Sequence, residues 1–344
     1  MHDLLYESDA IPLREVRQSE SAVSSKGGGA LSLGMKVFVT AACFWYLSNK
    51  MSWAVFAETA KTIDVGWAML ALGLLVLQVP LVGLRWAEIV GVLAPAVNHG
   101  GRWGMLAITA IGNFFGQVLP NVFGETVRVC MLAKFGVDWR IGVASVLIDR
   151  AIGVIAIVGV GFVVYAVPTQ ATSLGGHRMD LPLLLGAVLA SWAAGVLCAR
   201  HVGDILVRHR LTFWLGRYAV FAHDVLVRSR ARASVFVLAL LVHLLTIIAI
   251  WALARAEGLP LPAGDAAVLF TVVMGLALLP ISIGGWGLRE LGVTALLGLR
   301  GIPAEQALMF SVSLGISIFL ASVPGAAVWV LYSPHRSGRA GATC

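Results

Sequence analysis

Long apolar runs are the feature that most constrains how this chain can fold. Six stretches carry few charged side chains, and five of them match the ~20 residues with which a helix crosses a bilayer core. They are residues 35–47, 65–84, 144–167, 181–199, 234–254 and 304–331, of which the first is a short span. Only 12% of the 344 residues are charged, whereas soluble domains carry about 25%. The sequence therefore predicts an all-α polytopic membrane protein with about six full spans, and not a β-barrel, whose strands would alternate.

Two further apolar regions, 103–135 and 266–299, are interrupted near their middle. The first contains "LPNVFGETVRVCMLAKFG" and the second "LPISIGGWGLRELGVTALLGLRG". In each, a glycine follows the proline by four positions, and an arginine follows it by eight or nine with a glutamate nearby. Proline removes a backbone donor and glycine loosens a helix. The residues that break the helices are Pro120, Gly124, Pro280, Gly284, Gly285 and Gly287.

Interrupted segments in corresponding positions are typical of transporters built from an internal repeat, with the site at the break. The seven arginines of residues 200–233 assign that segment to the cytoplasm by the positive-inside rule. Both termini are then cytoplasmic, and the two broken regions enter from opposite faces as re-entrant hairpins of an inverted repeat. Two alternatives stay open: each broken region crosses once, which gives eight full spans, or each is a kinked helix pair packed in the bundle.

The flanks of the chain differ in composition from its apolar body. Residues 1–33 are polar and mixed in charge and predict a disordered cytoplasmic tail without a cleavable signal peptide. Residues 34–332 form the transmembrane domain, and residues 333–344 a second cytoplasmic tail. The predicted location is the cell membrane.

Several function classes find no support in the sequence. The net charge is +7, but the basic residues lie beside the spans and not in a soluble domain that could bind nucleic acid. The cysteines form no CxxC pair and no cluster with histidine, so neither a metal site nor a disulfide is predicted. They are Cys43, Cys130, Cys198 and Cys344. A GxxxxGK[ST] motif is absent, so ATP is not expected as the direct energy source and no cofactor is predicted.

Residues 85–331 resemble the flippase-like transmembrane domain of lysylphosphatidylglycerol synthases. The first motif of that family matches at Asn113, Pro120, Gly124, Glu125, Arg128, Leu132 and Gly136, followed by Asp149 and Arg150. The second, Pro-x-Ser-x-Gly-Gly-x-Gly-x-Arg-Glu, matches from Pro280 to Glu290. The synthases add a soluble domain that transfers an aminoacyl group from tRNA. No such domain follows here, so that reaction is not expected, and the resemblance implies movement of a membrane lipid between leaflets.

The lipid-translocator hypothesis gives roles to the charged residues at the breaks. Arginine stays charged and offers a two-pronged donor to phosphate, so the candidate headgroup ligands are Arg128, Arg150 and Arg289. The candidates that balance their charge or line the site are Glu125, Asp149, Glu290 and Asn113. The same residues could instead be structural ion pairs. The lipid-translocator hypothesis predicts that the chain is not an enzyme. The alternative function is a non-transporting membrane partner of a glycosyltransferase or lipid-modifying enzyme, and the oligomeric state is open.

Overall fold

The computed structural model describes residues 61–97, 101–119, 121–166, 180–209, 212–277 and 287–331. Within these ranges every regular element is helical. The ten α-helices are α1 (Val65–Leu93), α2 (Gly101–Val118), α3 (Asn121–Ala133), α4 (Trp139–Ala166), α5 (Asp180–Leu206), α6 (Phe213–His223), α7 (Arg232–Ala256), α8 (Ala263–Ala277), α9 (Leu288–Gly298) and α10 (Ala304–Leu331). A π-helical turn, Asp224–Arg228, follows α6.

Five helices, α1, α4, α5, α7 and α10, are long and apolar enough to cross a membrane. They coincide with five of the six predicted spans, which confirms the polytopic helical fold. The remaining predicted span, 35–47, and both predicted tails lie outside the described residues.

Helix α1 extends beyond the span predicted from hydropathy. It begins after Asp64, whose Oδ1 accepts the backbone N–H groups of Gly66 and Trp67 at 2.8 and 3.2 Å, as an N-cap does. It continues past Leu84 to Leu93 with Pro80 inside it, and its C-cap is Ala94, the residue before Pro95, where a helix usually ends. Arg85 therefore lies inside a membrane-length helix and not in a loop.

The first broken region is a helical hairpin, in which α2 and α3 lie side by side. A Cβ added at Gly124 would collide with the carbonyl oxygen of Gly112 and the amide nitrogen of Gly116. In a continuous helix, residues 12 positions apart would be about 18 Å apart. The chain therefore reverses direction between Val118 and Asn121, around the predicted break.

The second broken region also reverses. A Cβ added at Gly292 on α9 would collide with the side chain of Leu276 on α8. At the open end of this hairpin, Arg300 Nη2 donates to Asp265 Oδ1 at 2.6 Å. Residues 278–286, between α8 and α9, lie outside the described part of the chain. Because a hairpin returns the chain to the side where it began, the alternative of eight single crossings does not fit the described helices.

The helices pack as two four-helix units, α1–α4 and α7–α10. The pairs α1–α2, α2–α3 and α3–α4 are in contact, and so are their counterparts α7–α8, α8–α9 and α9–α10. Between the units, α2 packs on α10 and α8 packs on α4, while α1 and α7 make the largest contact among the described helices. Exchanging the two units gives the same set of contacting helix pairs. Helices α5 and α6 connect the units and pack on each other.

Candidate functional site

Five charged side chains meet where α1, α3 and α4 converge, and we call them the charge cluster. Helix α1 supplies Arg85, α3 supplies Glu125 and Arg128, and α4 supplies Asp149 and Arg150. Residues three positions apart share a helix face, so Glu125 and Arg128 point to the same neighbours. The α2–α3 hairpin brings them against α4.

Within the charge cluster, carboxylates alternate with guanidinium groups. Asp149 Oδ1 accepts from Arg85 Nε at 2.7 Å, and its Oδ2 lies 3.5 Å from Arg128 Nη1. Arg128 Nη1 donates to Glu125 Oε2 at 3.0 Å. The other oxygen of Glu125 pairs with Arg150 Nη2. The order of contacts is therefore Arg85, Asp149, Arg128, Glu125, Arg150.

The first three members of this series are buried and the last two are more exposed. The side chains of Arg85, Asp149 and Arg128 are 7, 2 and 4% exposed, whereas those of Glu125 and Arg150 are 19 and 50% exposed. Three guanidinium groups face two carboxylates, which leaves one excess positive charge. Among the described residues, Arg85 Nη1, Arg128 Nε and Arg128 Nη2 are buried without a hydrogen-bond partner. Such donors cost about 1–3 kcal/mol each or more when charged, so hydrogen bonding at the interior end of the cluster is incomplete.

Neighbouring residues fix the position of Arg128. Its Cζ lies 4.2 Å from the ring centroid of Trp86, a cation–π distance. Trp86 Nε1 donates to Ser145 Oγ at 3.0 Å, and that hydroxyl donates to the carbonyl oxygen of Gly142 at 2.7 Å. A Cβ at Gly112 would collide with Arg128 Cγ, so the glycine leaves room for the side chain. The guanidinium is held in place by packing as well as by charge.

A second, separate group forms at the start of α9. Arg289 Nε and Nη2 donate to Glu290 Oε1 at 2.9 and 2.5 Å. Glu290 Oε2 accepts the N–H of Gly287 at 2.5 Å, and Ser311 Oγ of α10 lies 3.3 Å from Oε1. Glu290 is fully buried and Arg289 is 6% exposed. Gly287 has φ +89, a left-handed conformation that favours glycine. Here one carboxylate neutralises the arginine and caps the helix.

Residues 33–325 match the family model described as the lysylphosphatidylglycerol synthase TM region. The chain belongs to this family. The match covers most of the chain, including both hairpins and the charge cluster, and it confirms the resemblance carried by the two motifs. The comparison with curated proteins and the comparison with solved structures find no match.

The structure brings together part of the site that the sequence predicted for this lysylphosphatidylglycerol synthase TM region. Glu125, Arg128, Asp149 and Arg150 form one connected group of ion pairs. Arg289 and Glu290 of α9 pair with each other, and Ser311 of α10 lies beside Glu290. Their assignment to the same headgroup site stays a prediction.

The remaining predicted residues have different outcomes. Asn113 lies on α2 beside Gly112 and is half-buried. Gly124 acts through close packing of the hairpin. Pro120, Pro280, Gly284 and Gly285 lie outside the described residues, so their roles stay predictions.

Arg85 was missed by the sequence reasoning. The predicted span ended at Leu84 and gave Arg85 no role, whereas α1 continues through Arg85 and brings it against Asp149 on α4. Apart from Glu88, residues 86–94 are apolar up to Pro95, and this continuation of the span was the signal that could have found it. In the described ranges, no group of three or more His, Cys, Asp or Glu residues could hold a metal ion.

Proposed function

We propose that this chain moves a phosphate-bearing lipid between the two leaflets of a membrane, with the headgroup passing the charge cluster. The observation that supports the proposal is the excess positive charge at Arg85 and Arg128, with three buried donors that lack a partner. An isolated charge inside a bilayer costs from ~3 to more than 10 kcal/mol. A lipid phosphate would remove both the excess charge and the unpaired donors.

The hairpins supply the route in this proposal. The α2–α3 and α8–α9 hairpins enter the membrane from opposite faces and form an inverted repeat, and the exchangeable contacts of the two four-helix units support this arrangement. Backbone N–H groups at the start of α3 add donors for an anion. Irregular backbone at membrane depth is tolerated where it lines such a path.

Each charged residue has its own role in the proposal. Arg85 and Arg128 bind the phosphate, Asp149 holds them together, and Arg150 receives the headgroup at the exposed end. Glu125 neutralises the empty site. Arg289 and Glu290 stabilise the start of α9 in the second hairpin.

The proposed activity is transport without covalent chemistry. Its partner is a membrane lipid of the cell membrane, and both termini are cytoplasmic. Movement is downhill, or is coupled to an ion gradient or to an enzyme that consumes the lipid.

The test is leaflet exchange of a fluorescent phosphatidylglycerol in proteoliposomes, followed by quenching of the outer leaflet. We expect Arg128→Gln to slow exchange about tenfold or more, since it removes a charge-assisted contact worth about 1.5–3 kcal/mol. Arg102→Gln is the matched control, because Arg102 pairs with Glu88 at 3.5 Å and its side chain is 75% exposed. Exchange by Arg128→Gln at the wild-type rate would refute the headgroup role. Absence of exchange by the wild type would favour the alternative, a membrane partner of a lipid-modifying enzyme.

A further inference from the structure

We infer that the charge cluster selects lipids whose headgroup is a singly charged phosphodiester over lipids that end in a doubly charged phosphomonoester. This inference rests on the proposed function and narrows its substrate class. It follows from the number of charges in the cluster and from the position of Glu125.

The charge of the cluster matches one anion. Three guanidinium groups and two carboxylates leave a single positive charge. A phosphodiester carries one negative charge and neutralises the site. A phosphomonoester carries ≈ −1.5 to −2 at pH 7 and would leave uncompensated negative charge in a region where water is excluded. Such charge is strongly disfavoured at low dielectric.

The donors that lack partners belong to two arginines held by one carboxylate. Arg85 and Arg128 contact different oxygens of Asp149, at 2.7 and 3.5 Å. Their guanidinium groups are therefore neighbours, and Arg85 Nη1 with Arg128 Nε and Nη2 have no partner among the described residues. A phosphodiester has two non-bridging oxygens that share its charge. These two oxygens suffice for charge-assisted bonds to both arginines.

Glu125 lies toward the exposed end of the charge cluster. Its carboxylate lies between buried Arg128 and half-exposed Arg150, and it is more exposed than Asp149. Glu125 accepts from Arg128 Nη1, whereas the donors without a partner are Arg85 Nη1, Arg128 Nε and Arg128 Nη2. Glu125 can therefore stay paired while a phosphate binds. Its negative charge lowers the net charge of the cluster from two positive charges to one.

The test compares two fluorescent lipids with the same acyl chains, phosphatidylglycerol and phosphatidic acid, in phosphatidylcholine proteoliposomes at about pH 8, where the monoester is doubly charged. We expect the wild type to exchange phosphatidylglycerol about tenfold faster than phosphatidic acid. This ratio corresponds to a difference of about 1.4 kcal/mol between the two activation free energies. Glu125→Gln adds one positive charge and should shift the ratio of the two rates toward phosphatidic acid. Glu305→Gln, also a carboxylate-to-amide change but in the first turn of α10 and outside the cluster, is the matched control and should leave the ratio unchanged.

The outcomes separate the inference from the proposed function. If the wild type exchanges neither lipid, the proposed function fails. If it exchanges both at the same rate, or if Glu125→Gln leaves the ratio unchanged in a folded protein, the function stands and the selectivity is refuted. The rates of the wild type need no substitution, so a variant that fails to fold does not block the test. Inorganic phosphate that slowed exchange as strongly as unlabelled phosphatidylglycerol would overturn the assignment to a diester.

Discussion

At the scale of single residues, Asp149 decides the structure of the charge cluster. It is 2% exposed and contacts two buried arginines that come from different helices. Breaking a buried ion pair from one side is more harmful than removing both partners, because the remaining charge is left uncompensated. The Arg289–Glu290 pair obeys the same rule, and there the carboxylate also accepts the N–H of Gly287 at the start of α9.

We predict that Asp149→Asn lowers stability by about 3–5 kcal/mol, the usual effect of breaking a buried pair from one side. The added change Arg85→Gln should recover part of the loss, because it removes one of the two stranded charges. Thermal unfolding in detergent of the wild type, both single variants and the double variant measures the coupling. Strictly additive effects of the two changes would contradict the charge cluster.

We predict that Glu257 makes the protein less stable as the pH rises. Glu257 follows the C-terminus of α7, and burial raises its pKa from 4.5 to about 7, opposed by a hydrogen bond from Ser313. The folded state then holds the proton more tightly than the unfolded state. Stability is full below about pH 4.5 and is lost as the pH rises to about 7, by roughly 1–3 kcal/mol. Between pH 5 and pH 8 the melting temperature should fall in the wild type and in the control Glu305→Gln, and it should stay constant in Glu257→Gln. If it fell equally in Glu257→Gln, Glu257 would not be the group responsible for the pH dependence.

At the scale of elements, the hairpins depend on glycines that let two backbones touch. Gly124 of α3 faces Gly112 and Gly116 of α2, so that the backbones themselves are in contact, as small residues permit in membrane helices. Because this contact also sets where Arg128 lies, the shape of the element and the chemistry of the site are linked.

We predict that Gly124→Ala destabilises the protein by about 1–3 kcal/mol, the usual effect of overpacking. It should also slow lipid exchange, since the hairpin opens. Gly159→Ala on α4 is the matched control, because a Cβ there has open space around it. Alanine is also the better helix former. Equal melting temperatures for the two variants would argue against close contact of α2 and α3.

We predict that Glu290→Gln lowers both the melting temperature and lipid exchange, because Arg289 loses its counter-charge and Gly287 loses an acceptor. The double variant Arg289→Gln, Glu290→Gln should recover both, since no buried charge remains. Recovery of the melting temperature without recovery of exchange would show that Arg289 is itself a headgroup ligand, as the sequence motif implies.

At the scale of the whole molecule, the two four-helix units meet along α1 and α7. Thr246 Oγ1 of α7 donates to Gln78 Oε1 of α1 at 2.9 Å, and the N–H of Asp64 donates to the carbonyl oxygen of Ala256 at 2.8 Å. The units are alike in contacts but not in charge. The α2–α3 side carries an excess positive charge, whereas the Arg289–Glu290 pair on the α8–α9 side is balanced. This asymmetry is why we assign the headgroup to the first hairpin.

We predict that the two connections next to the hairpins lie on opposite sides of the membrane. In a protein whose four native cysteines are replaced by serine, Asp138→Cys and Pro260→Cys place a thiol on exposed residues of each connection. A membrane-impermeant maleimide applied to intact cells should label the cysteine at 260 alone, and the cysteine at 138 should react only after permeabilisation. Labelling of both from the outside would refute the inverted arrangement.

The sequence by itself determined the class of the protein, five of its spans, the positions of the two breaks and its family. These are local properties, because hydropathy and helix-breaking residues act over the length of one helix. Glu125 and Arg128 were also predictable as neighbours, since they are three positions apart on one helix.

Only the tertiary structure decided which charges compensate one another. Arg85 and Asp149 are 64 positions apart, and no local pattern joins them. The same fold separates the Arg289–Glu290 pair, whose charges cancel, from a cluster that keeps an unpaired charge. The physical reason is that the electrostatic energy of a buried group depends on the helices packed around it. Local sequence patterns do not reveal which helices those are.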